Sequence, residues 1–472
     1  MSRDPKASPK LPPKPPARPD RVSLWRYLRL FRRDILSAQP ARLYRAWMAE
    51  FRTPFFRSYM INDPDLLRLV LRERPVDFPK SNRIRAGLEP LLGRSVFVTN
   101  GAEWERQRRI IDPAFEGAGR LEAVFPQMRA AGLAAVSRLA ERAGDGPVEI
   151  EAHATHAAAD VIFRTLFSIP ITDETAAEVF RQFRAHQRAQ PLLNLAAFLP
   201  LPRWVPRFHR ARTRRTARAI RGLIADLVAA RARLIEAGSA PDDLATRIMT
   251  TPDPVTGKPF SAGEMIDQVA IFFLAGHETS ASALAWALWL VALFPEWQER
   301  LRAEARDVLG AGDDFTFSQA SRLRLARDVF RETLRLYPPV PMMVRENACP
   351  ENFRKRAIAP GSQIVISPWH LHRHERLWER PDEFDPGRYA SESARASLRA
   401  AYLPFSAGPR VCPGAGFAML EGPLLLALML RELRFETVPE FPAIPVANLT
   451  VRAKHGLWLK ITLRQPHQEG LR

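Results

Sequence analysis

Residues 270–294, AIFFLAGHETSASALAWALWLVALF, are the most apolar stretch of the chain and long enough to cross a bilayer. Gly276, His277, Glu278, Thr279 and Ser280 nevertheless sit inside it. A carboxylate and an imidazole in an otherwise apolar helix are costly to bury, so the run reads as the central helix of a protein core, with a local reason for its polar groups. Gly276 in mid-helix costs about 1 kcal/mol against alanine and marks a local opening or a close approach. Helical periodicity dominates from Asp63 onward, and turn signals at Asp253-Pro254 and Gly257-Lys258-Pro259 separate the runs. Residues 363–367 and 457–463 alternate as short strands. The expected fold class is mainly α with a small β region.

Charge narrows the partners. Among 472 residues, 70 lysines and arginines against 51 acids give a net charge of +19, which favours an acidic partner, an anionic membrane or nucleic acid. The basic residues are spread along the whole chain without the aromatic interleaving of a single-strand binder, so nucleic acid is disfavoured. Residues 1–21 are basic, proline-rich and without an apolar run, which predicts a disordered arm rather than a secretory signal. Residues 22–51 mix Leu24, Trp25, Tyr27, Leu28, Leu30 and Phe31 with Arg26, Arg29, Arg32 and Arg33. A helix docked on the body is the expectation there, with peripheral contact at a membrane surface as the alternative. Two cysteines, Cys349 and Cys412, cannot build a disulfide framework, which points to the reducing cytoplasm.

Cys412 has unusual company. In Phe405-Ser-Ala-Gly408-Pro-Arg410-Val-Cys412-Pro-Gly414, glycines and prolines hold an irregular loop, and an apolar helix follows over 415–434. Free backbone N–H groups, the positive helix end and Arg410 all favour a thiolate at Cys412. Gly408 and Gly414 let backbone approach a flat partner. A thiolate so placed is a nucleophile or a metal ligand, and no second cysteine or suitably spaced histidine accompanies it as zinc would need. Cys349 lies in a polar loop and carries no motif.

The pattern Phe405-x-x-Gly408-x-Arg410-x-Cys412-x-Gly414 resembles the cysteine loop of the cytochrome P-450 family of haem-thiolate monooxygenases. Three further motifs agree in order. Ala275-Gly276-His277-Glu278-Thr279-Ser280 is similar to the family's oxygen-activation motif. Glu332-Thr-Leu-Arg335 and the segment Phe384 to Tyr389, with Arg388, resemble the triad that supports the cysteine loop. Trp104 and Arg108 resemble the helix pair that holds a haem propionate. Glu-x-x-Arg alone is weak, because Glu105/Arg108 and Glu299/Arg302 also fit it; position singles out Glu332.

After the arm over 1–21 that composition predicts, the resemblance implies one large helical haem domain over 22–472. It implies haem b, with Cys412 as the axial ligand of the iron and Phe405, Gly414, Arg410, Trp104, Arg108 and Arg345 around the macrocycle. Gly276 would open a groove for O2. Thr279 would hold the distal oxygen and an ordered water, or else bond back to the carbonyl four residues earlier, and Glu278 would supply protons. Glu332, Arg335 and Arg388 would be structural. The reaction implied is insertion of one oxygen atom into a C–H bond of a hydrophobic substrate. Only 60 residues follow Cys412 (472 minus 412), so the electron donor is expected to be separate, an acidic ferredoxin with its NAD(P)H reductase. A peroxide-driven peroxygenase and a non-catalytic haem sensor are the alternatives. The continuation Phe417-Ala-Met-Leu-Glu421 resembles the branch of fatty-acid and carotenoid hydroxylases, and residues 192–201 suggest an apolar lid. His370, His372 and His374 alternate, and surface packing is expected of them rather than a metal site.

Overall fold

A computed structural model describes residues 11–52, 56–189 and 211–464. The principal helices are α1 (Leu24–Arg33), α2 (Asn82–Leu92), α3 (Gly101–Phe115), α4 (Ala118–Ala140), α5 (Ile150–Phe167), α6 (Glu174–Ala189), α7 (Ala211–Glu236), α8 (Ala262–Leu293), α9 (Pro295–Leu309), α10 (Arg324–Leu336) and α11 (Ala415–Glu432). The strands are β1 (Met48–Arg52), β2 (Arg57–Ile61), β3 (Pro147–Glu149), β4 (Met343–Glu346), β5 (Glu351–Phe353), β6 (Arg356–Ile358), β7 (Gln363–Ile366), β8 (Leu433–Thr437), β9 (Pro445–Ala447), β10 (Val451–Ala453) and β11 (Trp458–Leu463). The mainly α class with a small β region is what the chain adopts, and residues 22–51 form the helix Leu24–Arg33, a 3-10 turn at Ala41–Tyr44 and the start of β1.

Helix α8 is the axis. Ser261 and Glu264 close a reciprocal capping box at its start. It runs unbroken through Gly276 and packs against α5, α7, α10 and α11, which accounts for its apolar character on nearly every face. Its polar residues pin the neighbouring loop: Asp267 accepts the Arg94 N–H at 2.8 Å and Gln268 the Val96 N–H at 2.9 Å. Among the described residues no single helix is long and apolar enough to cross a membrane.

The main sheet has the order β1-β2-β7-β4, with β2 and β7 parallel and the other pairs antiparallel. Tyr59 pairs with Ile364, and Ile364 with Arg345, so this register sets where Arg345 emerges. A second core of Tyr59, Ile61, Val70, Phe78, Ile364 and Trp378 lies beneath the sheet.

Two expectations are corrected. The arm expected over 1–21 is packed from Leu11 onward: Pro12, Pro15 and Arg18 are buried, Arg18 Nε donates to the Ala38 carbonyl at 2.6 Å, and Tyr337 Oη donates to the Pro13 carbonyl at 2.8 Å. Proline-rich chain loses little entropy on docking, so composition alone misjudges it. The three histidines, expected at the surface, are interior. His372 Nε2 accepts the Leu403 N–H at 2.9 Å, and its other ring nitrogen faces the Arg335 carbonyl at 3.2 Å, joining α10 to the segment before the cysteine loop. Burial depresses His370 and His372 to about 3, keeping them neutral, and no cluster of metal-binding side chains exists among the described residues. The lid expected over 192–201 lies outside the described residues.

Candidate active site

Gly408 enters a short turn (Gly408–Arg410) with φ +70°. A Cβ there would lie 1.9 Å from the Leu71 carbonyl oxygen, so only glycine lets the cysteine loop press on the turn at 69–73. The Cys412 N–H donates to the Phe405 carbonyl at 3.0 Å, and α11 begins three residues later. The cysteine lies at the wall of a cavity of about 1130 Å³ between α8 and this loop. Phe405, Gly414, Trp104, Arg108, Arg345, Gly276, Glu278 and Thr279 line the same cavity. Burial pushes the Cys412 thiol up, against the Gly414 N–H and Arg108, which pull it down. The expected helix-end effect is present but outweighed by burial; an adjacent cation would reverse the balance.

Trp104 collects cations. Lys80 Nζ lies 5.5 Å, the Arg108 guanidinium 5.9 Å and the Arg410 guanidinium 5.2 Å from its ring. Arg345 emerges nearby from β4 and lies close enough to Arg410 to be lowered to about 10, behind burial as the leading cause. Lys80 is depressed to about 6 by burial and then by Arg345, Arg410 and Arg108. Arg345 Nε and Arg410 Nε are buried with no hydrogen-bond partner. Two buried guanidiniums with orphaned donors, beside Lys80 and Arg108, are incomplete without anions. Anionic groups of a cofactor whose flat face meets Cys412 would satisfy them, so the residues fit a haem whose propionates point here. Lys80 escaped sequence reasoning because a single lysine after Pro79 carries no spacing signal.

The α8 groove is built as follows. A Cβ on Gly276 would lie 2.5 Å from Ile162 Cδ1, so the glycine admits the α5 side chain at the cavity wall. Thr279 Oγ1 donates to the Ala275 carbonyl at 2.6 Å, the back-bonded arrangement. Glu278 accepts from Thr450 Oγ1 at 2.9 Å, Arg452 Nη2 at 3.1 Å and Gln187 Nε2 at 3.1 Å. Glu421, on α11, also lines the cavity and accepts from Ser280 Oγ at 2.7 Å.

Away from the cavity, Glu332, Arg335 and Arg388 are buried together. Arg335 forks onto both Glu332 oxygens at 2.9 Å, and Arg388 Nε reaches Oε1 at 2.9 Å. Burial pushes the Glu332 carboxyl up, but the two guanidiniums and the Asp385 N–H prevail and hold it low. The free arginine donors cap the carbonyls of His372, Pro381, Glu379 and Glu383, which fixes the chain leading to the cysteine loop.

The chain is similar to known proteins in both sequence and fold. The family model for cytochrome P450 matches residues 47–457. The chain is 31% identical over 407 residues to cyclooctatin synthase of Streptomyces melanosporofaciens, covering 84% of each. It is 32% identical over 400 residues to cyclooctat-9-en-7-ol 5-monooxygenase of the same organism, covering 83% of each. It is also 28% identical over 447 residues to human cytochrome P450 4X1, covering 91% of this chain and 85% of that one. The crystal structure of the cytochrome P450DA heme domain superposes with a TM-score of 0.80 at 24% identity, covering 96% of this chain and 98% of that one. With a thiol at the wall of a cavity that Arg345 and Arg410, each with an orphaned donor, also line, the chain belongs to the cytochrome P450 family of haem-thiolate monooxygenases.

Proposed function

We propose that this P450 binds haem b and hydroxylates a largely hydrocarbon substrate of terpenoid or long-chain type. The observation that carries the substrate class is the apolar part of the cavity wall. Ile84, Leu88, Phe97, Phe272, Val340 and Met342 line it, and such a surface rewards apolar burial at about 25 cal/mol per Å². Relatives named for cyclooctatin synthesis and for 11-oxo-beta-amyrin 30-oxidation support the terpenoid arm.

When bound, the haem supplies reductive activation of O2, which thiolate ligation favours. Cys412 would be the iron's protein ligand, with the Gly414 N–H tempering the sulfur's charge. Lys80, Arg108, Arg345 and Arg410 would neutralise the propionates, and Phe405 would pack beside the macrocycle. Gly276 and Thr279 would border the oxygen cleft, with the Thr279 hydroxyl turning from the Ala275 carbonyl to an ordered water. Electrons would come from a separate acidic ferredoxin with its NAD(P)H reductase, meeting the exposed Arg72 beside Gly408 and the surface at Val411. We place the enzyme in the cytoplasm, with the exposed Trp25 and the arginines of α1 available for peripheral contact with a membrane surface.

The test is the visible spectrum of the dithionite-reduced protein with carbon monoxide, followed by a spin-state screen. A strongly red-shifted Soret band, lost in Cys412→Ala, and spin shifts with diterpenes or long-chain acids are expected. An unshifted carbonyl band, or shifts only with small polar molecules, would overturn the reading.

A further inference from the structure

Most neutral polar side chains on the cavity wall are spent within the protein. Thr165 and Thr279 bond back to the Val161 and Ala275 carbonyls, Ser280 donates to Glu421, and Thr450 and Gln187 donate to Glu278. The Arg452 guanidinium pairs with the same Glu278. The hydroxyl oxygens of Thr213 and Ser406 lack a partner but are fully buried, where a bound molecule cannot reach them. Asn448 differs. It is exposed, it lines the cavity, and its side-chain amide makes no hydrogen bond among the described residues.

The turn that carries Asn448 joins β9 to β10, where Ala447 pairs with Val451. Its base is fixed. The Ala447 N–H donates to Asp34 at 2.7 Å, the Ile35 N–H to the Ala447 carbonyl at 3.0 Å and the Val451 N–H to the Pro339 carbonyl at 3.0 Å. Ser282 Oγ on α8 donates to the Val451 carbonyl at 2.6 Å, and Thr450 Oγ1 holds Glu278, the residue before Thr279, at 2.9 Å. The tip is free by contrast. Leu449 is 43% exposed, and it lines the cavity beside Asn448 together with Val340, 36% exposed. A rigid turn therefore presents one amide among apolar neighbours. Unliganded, the amide is open to solvent; a pure hydrocarbon settling there strips its water and leaves donor and acceptor unpaired. A hydroxyl avoids that loss, since it accepts from Nδ2 and donates to Oδ1. A carboxylate gains less, because Arg452 is already neutralised by Glu278.

We propose that Asn448 recognises a neutral hydroxyl on an otherwise hydrocarbon substrate, with Leu449 packing on the carbon skeleton beside it. The inference rests on the hydroxylase reading above and narrows it: the molecule to be oxidised already carries one oxygen. An earlier step must then install that oxygen, by hydroxylation or by addition of water to a carbocation or an alkene, and this enzyme adds the second. Because the turn is tied to the residue beside Thr279, the reach from Asn448 to the oxygen cleft is set by the fold. The separation between the recognised carbon and the oxidised one is set with it.

The test measures dissociation constants in the haem-loaded protein, by spin-state shift and independently by calorimetry, for two matched pairs: cedrol with cedrane, and menthol with menthane. The members of each pair share a skeleton and differ in the hydroxyl. Apolar burial alone favours the hydrocarbon, so the opposite order reports the amide. The alcohol should bind at least tenfold more tightly than its hydrocarbon in one pair or both. Asn448→Leu should shrink that ratio below threefold, whereas Leu449→Ala should weaken both members and keep the ratio within twofold of the wild-type value. A wild-type ratio near one, a ratio unaltered by Asn448→Leu, a shift towards low spin with the alcohols, or no binding of either alcohol would overturn the proposal. Failure of the monooxygenase reading would be distinct, as absence of the red-shifted carbonyl spectrum in all three proteins.

Discussion

Arg108 Nη1 donates to the Val411 carbonyl at 2.7 Å, one residue before Cys412, while its Nε holds Asp112 of its own helix. One guanidinium therefore ties α3, the cysteine loop and the cation cluster round Trp104. Arg108→Leu is expected to lose the tie and a propionate partner together. Haem retention through gel filtration should fall at least tenfold, with the apo form losing about 1 kcal/mol. Retention at the wild-type level would show that the contact is incidental.

Haem loading should take up protons. Lys80 is held near 6 by burial and by three cations, so at pH 8 the apo protein carries it mostly neutral. Anions among these cations restore its charge. Haem titration in weakly buffered solution at pH 8 should show net proton uptake, reduced in Lys80→Met.

Glu332→Ala would leave Arg335 and Arg388 buried and unpaired. The expected loss is about 3–5 kcal/mol, read by urea unfolding; a loss below 1 kcal/mol would mean that the site rehydrates.

Two kinds of buried group tilt stability with pH in opposite senses. His370 and His372 have folded values near 3 against 6.5 unfolded, so the unfolded chain binds more protons between those limits. Their contribution is complete above 6.5 and falls as pH drops, by up to about 1.4 kcal/mol per unit for each. Glu421 moves from 4.5 to about 8, so here the folded state binds more protons and stability falls as pH rises through that window. Glu151, which burial raises to about 7, adds a decline of the same sign, so denaturation midpoints of Glu421→Gln should show a shallower decline from pH 5 to 8, while the acid limb remains.

Gly408→Ala and Gly276→Ala should separate sharply. The first sets a Cβ against the Leu71 backbone at positive φ, where nothing can yield. The second meets the tip of the Ile162 side chain, which can rotate. A fall in melting temperature of several degrees is expected for the first and little for the second, by thermal scans of the apo proteins.

What was legible in advance depended on spacing. The cysteine loop, the Glu332–Arg335–Arg388 set and the polar interruption of α8 each carry several residue types at fixed separations, and the structure places each as a unit. Lys80 is brought to Trp104 only by the path of residues 79–81, which no local pattern reveals. Glu421 stood in a recognisable helix, yet its neutrality depends on what surrounds it in space. The alternating histidines misled because the connection before the Phe384 segment was expected at the surface, whereas these residues fill a turn wrapped by Trp47, Tyr44 and Tyr402. Residues 11–21 misled because composition reports on the free chain, not on grooves elsewhere.

The register of β2 on β7 also orders events in time. Tyr59 must wait for Ile364, 305 residues later (364 minus 59), and at ribosomal speeds of about 5–20 residues/s that is a delay of roughly 15–60 s. Until then the sheet lacks the strand that aims Arg345, and Cys412 emerges later still. The pigment can therefore enter only after β7 and Cys412 have both been made, and cells starved of it would accumulate colourless chains in which both are already present.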